Sequence, residues 1–417
     1  MDINTQLHRL REMLASVLET NAFYRRKLIE VGMTHPNDVQ TLNDYRQLPF
    51  TTKAELSADQ VSHPPYGTNL TFPLERYTCL HRTSGTTGSP LRWLDTAESW
   101  DWWGKCWREI YDAAGVTSAD RLMPAFSFGP FIGFWSAYHG AQQLGALTIA
   151  NGGFTSEQRI RAMLSNEVTV LISTPTYALR LAEVAAQEGV NLSEESSVRV
   201  TIHAGEPGAS LPATKQRIEN AWGAKAYDHA GATEVGAWGI MCEPQAGVHL
   251  NENEFICEVL NPETGNPANA GELVITNLGR IGMPVIRYRT GDYVKLKSAP
   301  CECGRESRVL DGGVTGRLDD ALIIRGMNVY PATIENIILK LPEVQEFAVR
   351  AYSTETFNEL EIHIESTNPD PTDTVTAVTT AIRDALGLRA VVKSVPLGTL
   401  PRYELKSKRF TDQRKMH

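Results

Sequence analysis

Strand-like and helix-like stretches alternate between about residue 78 and residue 290, and this alternation restricts the fold more than any other feature of the chain. Short apolar runs typical of buried strands lie at residues 145–150, 168–173 and 198–203. The helical segments between them are residues 156–165 and 177–187. This order predicts a layered α/β sheet, and the strands and turns at 254–297 predict a more β-rich subdomain.

The chain after Gly316-Arg-Leu-Asp319 has a different pattern. Residues 331–341 predict a helix, because proline stands in the first turn and the apolar residues fall at helical spacing. Further predicted elements are a strand at 347–352, a strand at 360–364, a helix at 375–386 and a strand at 390–395. We therefore predict an α/β protein with a large N-terminal domain, residues 1–318, and a small α+β C-terminal domain, residues 319–417, which we call the lid, with a hinge near Asp319.

The charge balance excludes some classes of partner. The chain has 40 Lys+Arg and 49 Asp+Glu, a net charge of -9, whereas nucleic-acid binding needs clustered basic residues. A single nucleotide is not excluded, because a few backbone donors can hold it. The longest apolar runs, such as 168–172, are too short for a membrane span, and no secretory signal is visible. We expect a cytoplasmic protein, and a homodimer is left open.

A hydroxyl-rich loop runs from Thr83 to Pro90, with the sequence Thr-Ser-Gly-Thr-Thr-Gly-Ser-Pro. Two glycines allow the backbone to approach a ligand closely, and five hydroxyls can join the amides in donating to phosphate oxygens. It is not a Walker loop, because no Lys-Ser/Thr follows the second glycine. Alone, such a cluster is more often a solvated turn.

Four further motifs follow this loop in order. They are Ala230-Gly-Ala-Thr-Glu234, Tyr288-Arg-Thr-Gly-Asp292, Gly316-Arg-Leu-Asp319 leading through Gly326 and Pro331 to Glu335, and Pro401-Arg-Tyr-Glu-Leu-Lys406. Together with the loop, they resemble the adenylate-forming superfamily of acyl- and aryl-CoA synthetases, luciferases and peptide-synthetase adenylation domains. Segments 48–53, 140–145 and 301–305 are most similar to the phenylacetate-CoA ligase-like branch. The resemblance covers roughly residues 48–410 and is specific because the motifs occur in order.

The resemblance implies an ATP-dependent aryl-CoA ligase. An aryl acid and ATP would give acyl-AMP and pyrophosphate, and CoA would then give the thioester and AMP. Two alternatives are an enzyme that loads an aryl acid onto the phosphopantetheine of an acyl carrier protein and a non-catalytic nucleotide-binding scaffold. The lid would rotate about the hinge residue Asp319 between the two half-reactions.

The resemblance also implies roles for single residues. Lys406 would bridge the α-phosphate and the substrate carboxylate, Glu234 would bind Mg²⁺, and Asp292 would accept hydrogen bonds from the ribose. Thr233 joins the catalytic set, and either Arg305 or Arg317 would add positive charge near the phosphates. The remaining residues expected around ATP are Ser84, Gly85, Thr86, Thr87 and Gly88 at the phosphates, with Gly205, Glu206 and Asp228 nearby. Considered one at a time, Glu234 could be an acid at a helix N-terminus and Asp292 could be a turn residue. Lys406 could likewise be part of a basic tail.

The sequence departs from the family at Ala230, where an aromatic residue usually stacks on adenine. Tyr227 and His229 are the candidates to replace it, although their register is wrong for a simple exchange.

The segment from Phe126 to His139 is rich in aromatic residues and glycines, which favours a pocket for an aryl acid. The candidate substrate residues are Phe128, Phe131, Phe134, Trp135, Tyr138, His139 and, further along, His203. A buried helix with aromatic core residues would produce the same pattern, and either histidine could be a hydrogen-bonded core residue.

The cysteines Cys301 and Cys303 form a close pair, and Cys242 and His249 could complete a tetrahedral zinc site. The alternative is unliganded thiols, since a gap of one residue is tighter than is usual in zinc sites.

Overall fold

The computed structural model of this chain describes residues 2–83, 90–324, 327–353, 358–404 and 406–414. The α-helices in these ranges are α1 (Ile3–Thr20), α2 (Ala22–Glu30), α3 (Leu42–Gln47), α4 (Lys53–Ser62), α5 (Ala97–Ala113), α6 (Ile132–Leu144), α7 (Ser156–Ser165), α8 (Pro175–Gln187), α9 (Leu192–Glu195), α10 (Pro212–Trp222), α11 (Pro331–Ile338) and α12 (Thr372–Leu386). Within the part of the chain that is described, none of the helices combines the length and the apolar character needed to cross a membrane.

The β-strands of the N-terminal part are β1 (Tyr77–Arg82), β2 (Arg92–Thr96), β3 (Arg121–Pro124), β4 (Leu147–Thr148), β5 (Val170–Ser173), β6 (Val200–His203), β7 (Lys225–Ala232), β8 (Gly236–Met241), β9 (Val248–Leu250), β10 (Phe255–Leu260), β11 (Ala270–Asn277), β12 (Tyr288–Leu296) and β13 (Val309–Arg317). Those of the C-terminal part are β14 (Leu322–Ile324), β15 (Met327–Val329), β16 (Val344–Ser353), β17 (Asn358–Ser366), β18 (Val391–Val395) and β19 (Phe410–Gln413).

One eleven-stranded sheet runs through the N-terminal part, in the order β10-β11-β12-β13-β9-β8-β7-β6-β5-β3-β4. Strands β4, β3, β5, β6 and β7 pair in parallel, as the α/β alternation predicts. From β7 to β10 the pairing is antiparallel, so the predicted β-rich subdomain is an extension of the same sheet. The predicted α/β fold class is confirmed.

The C-terminal part has a hydrophobic core of its own. Its four-stranded sheet has the order β18-β17-β16-β19, and α11 and α12 pack against each other beside it. The buried residues of this core come from 322–390, together with Ala213 of α10. The residues predicted as the lid therefore pack mainly among themselves, and the boundary between residues 318 and 319 stays a prediction.

Candidate active site

The parallel strands β5, β6 and β7 end at the same edge of the sheet, where α/β proteins usually bind their ligands. Their residues Ser173, His203 and Asp228 lie side by side in register. The segments that leave these strands carry Glu234, which belongs to one of the motifs, and Gly205 and Glu206, which the resemblance places near ATP. The sequence therefore brings its candidate residues to one edge of the sheet.

The segment Gly205–Glu206 meets the lid at the candidate catalytic lysine. Gly205 has a φ of +95°, and a Cβ atom there would lie 3.1 Å from the Cε atom of Lys406. Only glycine combines this backbone conformation with the space that the lysine needs. Glu206 accepts hydrogen bonds from the amide of Ser407 at 2.7 Å and from the amide of Thr176 at 3.0 Å. Glu206 thus joins the lid to the first turn of α8.

Lys406 lies in the electrostatic field of the predicted metal ligand. Partial desolvation lowers the pKa of Lys406 below the ordinary lysine value, although the residue stays exposed at the site, and Glu206 and Glu234 act to raise this pKa. Arg317 and Lys53 also interact with Lys406. The site is therefore rich in positive charge around two carboxylates, which suits a ligand with several negative oxygens.

Glu234 follows β7 and is almost completely buried. Its carboxylate pairs with the Nζ atom of Lys53 at 3.3 Å. Lys53 is the first residue of α4, behind the capping residue Thr52, and the sequence analysis gave it no role. A cation is unfavourable at the positive end of a helix dipole, and this misfit is the signal that could have identified Lys53.

The backbone around Glu234 is held by a buried ion pair. Arg280 and Asp95 are both fully buried and joined by two hydrogen bonds of 2.6 and 2.7 Å. Arg280 also donates to the carbonyl oxygen of Thr233 at 2.6 Å. Its guanidinium lies 5.0 Å from the ring centre of Trp93 and 5.4 Å from that of Trp103. These contacts fix Arg280, and through it the predicted catalytic residues Thr233 and Glu234.

The candidate ribose residue Asp292 pairs directly with Arg317 across β12 and β13. The carboxylate and the guanidinium are 3.3 Å apart, and Arg317 also binds Asp319 at 2.9 Å. Burial raises the pKa of Asp292 to about 6, against the lowering effect of Arg317. The predicted hinge residue is thus tied to the predicted ribose site through one arginine.

Arg305 lies elsewhere. It pairs with Asp112 at 3.2 Å, and its amide donates to the sulfur of Cys303 at 3.5 Å. Of the two arginines considered for the phosphates, the structure brings only Arg317 to Asp292 and Lys406.

The structure also answers the question raised by Ala230. Consecutive residues of a strand face opposite sides, so Tyr227 and His229 face away from Asp228 and Ala230. His229 binds the carbonyl oxygen of Gly239 at 2.8 Å, and its ring centre is 4.6 Å from that of Trp107. It does not replace the missing aromatic residue. Asp228 accepts a hydrogen bond from Ser210, and burial raises the pKa of Asp228 to about 7.

The hydroxyl-rich loop lies outside the described residues, so nothing is said of Ser84, Gly85, Thr86, Thr87 and Gly88, nor of Gly326. The residues that flank this loop are described. Thr83 and Leu91 exchange two hydrogen bonds of 3.0 Å, one backbone to backbone and one from the Leu91 amide to the Thr83 hydroxyl. The two ends of the loop are therefore held together.

Most of the candidate substrate residues form one aromatic cluster around Phe126 and Phe128. The pairs with the shortest distances between ring centres are Phe126–Phe134 at 4.5 Å, Phe128–Trp135 at 4.9 Å, Phe128–Tyr138 at 5.8 Å and Phe126–Phe131 at 6.5 Å. Phe128 has a φ of 52°, an uncommon value for a residue with a side chain. The cluster thus includes one strained position, and strained backbone is often found at functional sites.

The two candidate histidines have other partners. His203 is fully buried and binds Thr201 at 2.8 Å and Ser173 at 3.4 Å, one partner for each ring nitrogen. Burial lowers the pKa of His203 to about 4, so it is a neutral core residue. His139 pairs with Asp101 at 3.1 Å, between α5 and α6. From the sequence, either histidine could be a hydrogen-bonded core residue. Of the two, His203 fits this interpretation better.

The four candidate zinc ligands come together beside β9 and β13. The ligand atoms of Cys242, His249, Cys301 and Cys303 all lie within 4.8 Å of one another. The sulfurs of Cys242 and Cys301 are 3.4 Å apart, and Nε2 of His249 is 3.4 Å from the sulfur of Cys303. Nδ1 of His249 faces Ser307, an arrangement that orients histidine ligands in metal sites.

Curated relatives match most of the chain. Residues 326–414 match the family described as the AMP-binding enzyme C-terminal domain. The phenylacetate-coenzyme A ligase of Thermus thermophilus is 33% identical over 371 residues, which cover 87% of this chain and 81% of the relative. The phenylacetate-coenzyme A ligase of Escherichia coli is 30% identical, and the match covers 98% of this chain and 94% of the relative.

Solved structures of 2-hydroxyisobutyryl-CoA ligase are similar to the chain at 28% identity. In its postadenylation state, in complex with 2-HIB-AMP, that enzyme matches with a TM-score of 0.92 over 98% of this chain and 88% of its own. In its thioesterification state, with 2-HIB-AMP and CoA, the TM-score is 0.74 over 100% of this chain and 91% of its own. The membership expected from the order of the motifs is confirmed, and the chain belongs to the phenylacetate-coenzyme A ligase family of AMP-binding enzymes.

Proposed function

We propose that this protein is an AMP-forming acid–CoA ligase. It joins the carboxylate of an acid to the α-phosphate of ATP, releasing pyrophosphate, and then transfers the acyl group from AMP to the thiol of CoA. The observation that carries this proposal is the position of Lys406, which the lid holds against Gly205 and in the field of Glu234 and Arg317. The names of the curated relatives support the same reaction.

The residues of the site suit the adenylation step. Negative charge accumulates on the phosphates as the carboxylate attacks, and fixed cations stabilise it without reorganisation. Lys406 supplies a compact ammonium at the reacting atoms, and Arg317 adds a second positive charge beside Asp292. Asp292 accepts hydrogen bonds from the ribose hydroxyls. Asp228, Gly205 and Glu206 complete the nucleotide site.

Glu234 would hold Mg²⁺. Its carboxylate is the oxygen donor that this ion prefers, and it lies at the open edge of the sheet with Lys53 as its present partner. When bound, the ion neutralises phosphate charge. Arg280 and Asp95 keep the carboxylate in place for it.

For the acid, we propose an aryl carboxylate. The aromatic cluster around Phe126 and Phe128 supports this class, since flat rings pack well against aromatic faces. The phenylacetate named for the curated relatives agrees with it, whereas the similar solved enzyme acts, by its name, on a short hydroxy acid. Free CoA is the proposed acceptor, and an acyl carrier protein is the alternative.

A pyrophosphate-release assay tests the function. Purified protein is given ATP, Mg²⁺ and single acids, with phenylacetate, benzoate, 2-hydroxyisobutyrate and acetate as the panel. We expect release that depends on an aryl acid, and formation of thioester and AMP when CoA is added. If no acid causes cleavage between the α- and β-phosphates, the function is refuted. A preference for 2-hydroxyisobutyrate or acetate would refute only the aryl class, and thioester formed solely on a carrier protein would refute CoA as acceptor.

We also propose a structural zinc ion bound by Cys242, His249, Cys301 and Cys303. The mutual approach of three thiols and one imidazole supports a tetrahedral site of three sulfurs and one nitrogen. The ion would join the turn after β8 to the segment before β13, so its role is in stability. Metal analysis of protein purified without chelator tests this. About one zinc per chain is expected, and less than about a tenth would refute the site.

A further inference from the structure

Several contacts hold the lid against the N-terminal part, and three of them lie on separate elements. The amide of Ser407 binds Glu206, the side chain of Arg402 reaches Glu183 at 3.3 Å, and Arg217 binds the end of α11. The first contact lies beside Lys406 itself. The other two are on α8 and α10, away from the reacting atoms.

The contact made by Arg217 differs from the others in kind. Its three guanidinium nitrogens donate to three main-chain carbonyl oxygens of the lid: Nε to Leu339 at 2.9 Å, Nη1 to Val344 at 2.8 Å and Nη2 to Leu341 at 2.6 Å. The Leu339 carbonyl belongs to the residue that ends α11, where a helix carries partial negative charge, whereas Leu341 lies in the following turn and Val344 begins β16. One side chain on α10 therefore binds the end of α11, the turn after it and the start of β16.

Three main-chain acceptors within residues 339–344 make this contact sensitive to the orientation of the lid. A pair of long side chains, such as Arg402 and Glu183, can follow a rotating lid over some distance. Three carbonyls fixed by the backbone cannot follow, and a turn of α11 relative to α10 breaks all three hydrogen bonds together. Nearby, Ala213 of α10 packs into the lid core, and its amide donates to Asn336 at 3.2 Å. The end of α11 and the turn after it are therefore held on α10 by polar and apolar contacts together.

We propose that Arg217 is a positioning residue that selects the adenylation arrangement of the lid and so delivers Lys406 to the site. The inference rests on the proposed two-step function. Its structural basis is that the lid that places Lys406 against Gly205 is the same unit whose main-chain carbonyls bind Arg217. A lid released from Arg217 spends less time with Lys406 against Gly205, while its other arrangements are unaffected.

The test measures the two half-reactions separately in the full-length protein. Adenylation is followed by ATP–pyrophosphate exchange with phenylacetate, or with the best acid of the panel if phenylacetate is inactive. Thioester formation is followed by adding CoA to the chemically prepared acyl-adenylate. For Arg217→Ala we expect exchange to fall on the order of tenfold or more, from the loss of charged hydrogen bonds. Thioester formation should stay within about twofold of the unaltered protein, or rise.

Two variants separate this role from a merely structural one. Arg217→Lys keeps the charge but has one donor group, and we expect it to lose exchange to an intermediate extent. Lys215→Ala removes a charge from the same helix, where Lys215 pairs with Glu219 of α10 at 3.0 Å, and both half-reactions should be unchanged. Equal loss of both half-reactions in Arg217→Ala and Arg217→Lys, or no loss of exchange in either, overturns the proposal. Absence of exchange in the unaltered protein would instead refute the proposed function.

Discussion

At the residue scale, Glu234 shows what a motif can and cannot indicate. The order of the motifs pointed to Glu234, but not to Lys53, 181 positions earlier in the chain, or to Arg280 and Asp95, which fix its backbone. Those three residues belong to no common motif, and only the folded sheet brings them together. The signals available in the sequence are a lysine at the start of α4 and an arginine in an apolar stretch. Neither signal indicates which residue is the partner.

The buried pair of Arg280 and Asp95 leads to a first prediction. Arg280→Lys keeps a positive charge beside Asp95 but cannot also donate to the carbonyl of Thr233. We expect kcat/KM to fall on the order of tenfold, with a higher Mg²⁺ concentration needed for half-maximal rate, since a shift of Glu234 weakens its hold on the ion. Steady-state kinetics over a range of Mg²⁺ concentrations checks this.

The control for Arg280 is Arg199→Lys. Arg199 pairs with Asp120 at 2.7 Å at the opposite edge of the sheet, so its replacement should not change the Mg²⁺ dependence. If Arg280→Lys lowers the melting temperature but leaves the Mg²⁺ dependence unchanged, the pair serves stability and not the position of Glu234.

A second prediction concerns pH and Asp292. The groups around this carboxylate are Arg317, Asp319 and Glu234, and burial raises its pKa to about 6. Protonation removes the negative charge and turns one carboxylate oxygen into a donor, which weakens the hydrogen bonds accepted from the ribose hydroxyls, so affinity for ATP should fall as pH decreases from 7 to 5. The ionised fraction of a group with this pKa falls about tenfold over that range, and the KM for ATP should rise by a similar factor.

Because the phosphates of ATP titrate in the same range, variants must separate the two effects. Asp292→Asn should have a higher KM for ATP at pH 7 and a flatter dependence on pH. Asp228→Asn tests the second buried acid, whose pKa is about 7. A KM profile that is the same in Asp292→Asn and the unaltered protein would exclude Asp292 as its origin.

At the element scale, periodicity predicted the type of most elements better than their ends. Strands β5 and β6 and helices α7 and α8 lie where the sequence indicated them. The predicted strand at 145–150 is shortened to Leu147–Thr148, because Gly145 takes a left-handed conformation to end α6. Helix α11 ends at Ile338 and not at Leu341. After Ile338 the chain turns, and carbonyl oxygens of this turn accept hydrogen bonds from Arg217. Strand β19 was missed because three of its four residues are polar.

The four candidate zinc ligands come from the turn after β8, from β9 and from the segment before β13, and they give a third prediction. Treatment with a strong chelator should lower the melting temperature, by about 2–4 °C for each kcal/mol that the ion contributes, and added zinc should restore it. Differential scanning calorimetry measures this. Cys303→Ser should melt earlier and no longer respond to chelator.

Cys257 provides the matched control, since it is buried in β10 away from the four ligands. Cys257→Ser should keep the response to chelator even if the substitution itself is destabilising. An identical melting temperature with and without chelator in the unaltered protein, together with a low zinc content, would favour free thiols.

At the scale of the whole molecule, the lid has its own core and touches the N-terminal part through a small number of residues. The chain matches 2-hydroxyisobutyryl-CoA ligase better in the postadenylation state than in the thioesterification state, with TM-scores of 0.92 and 0.74. This agrees with Lys406 lying against Gly205. The predicted hinge at Asp319 is tied to Arg317, so the position of the lid and the charge near the ribose site are physically connected.

This connection leads to a fourth prediction, which separates the contribution of the Lys406 side chain to adenylation from the effect of the position of the lid. Lys406→Ala should reduce adenylation by about a hundredfold or more, because a cation aimed at developing charge is lost, while a supplied acyl-adenylate should still react with CoA. Lys408→Ala, which removes an exposed lysine two residues later, should leave both steps unchanged. Equal loss of both steps in Lys406→Ala would contradict the prediction that Lys406 acts in adenylation and not in thioester formation.

Combining Lys406→Ala with Arg217→Ala then tests whether the two residues act in one process. If Arg217 matters because it delivers Lys406, removing Arg217 from a chain that already lacks Lys406 should cost adenylation little more, since residues that act as a unit are not additive. Single-turnover pyrophosphate release at high enzyme concentration measures the small residual rates. If the two losses instead multiply, Arg217 supports adenylation by a route independent of Lys406, and the lid would then have to contribute something other than its lysine to the first half-reaction.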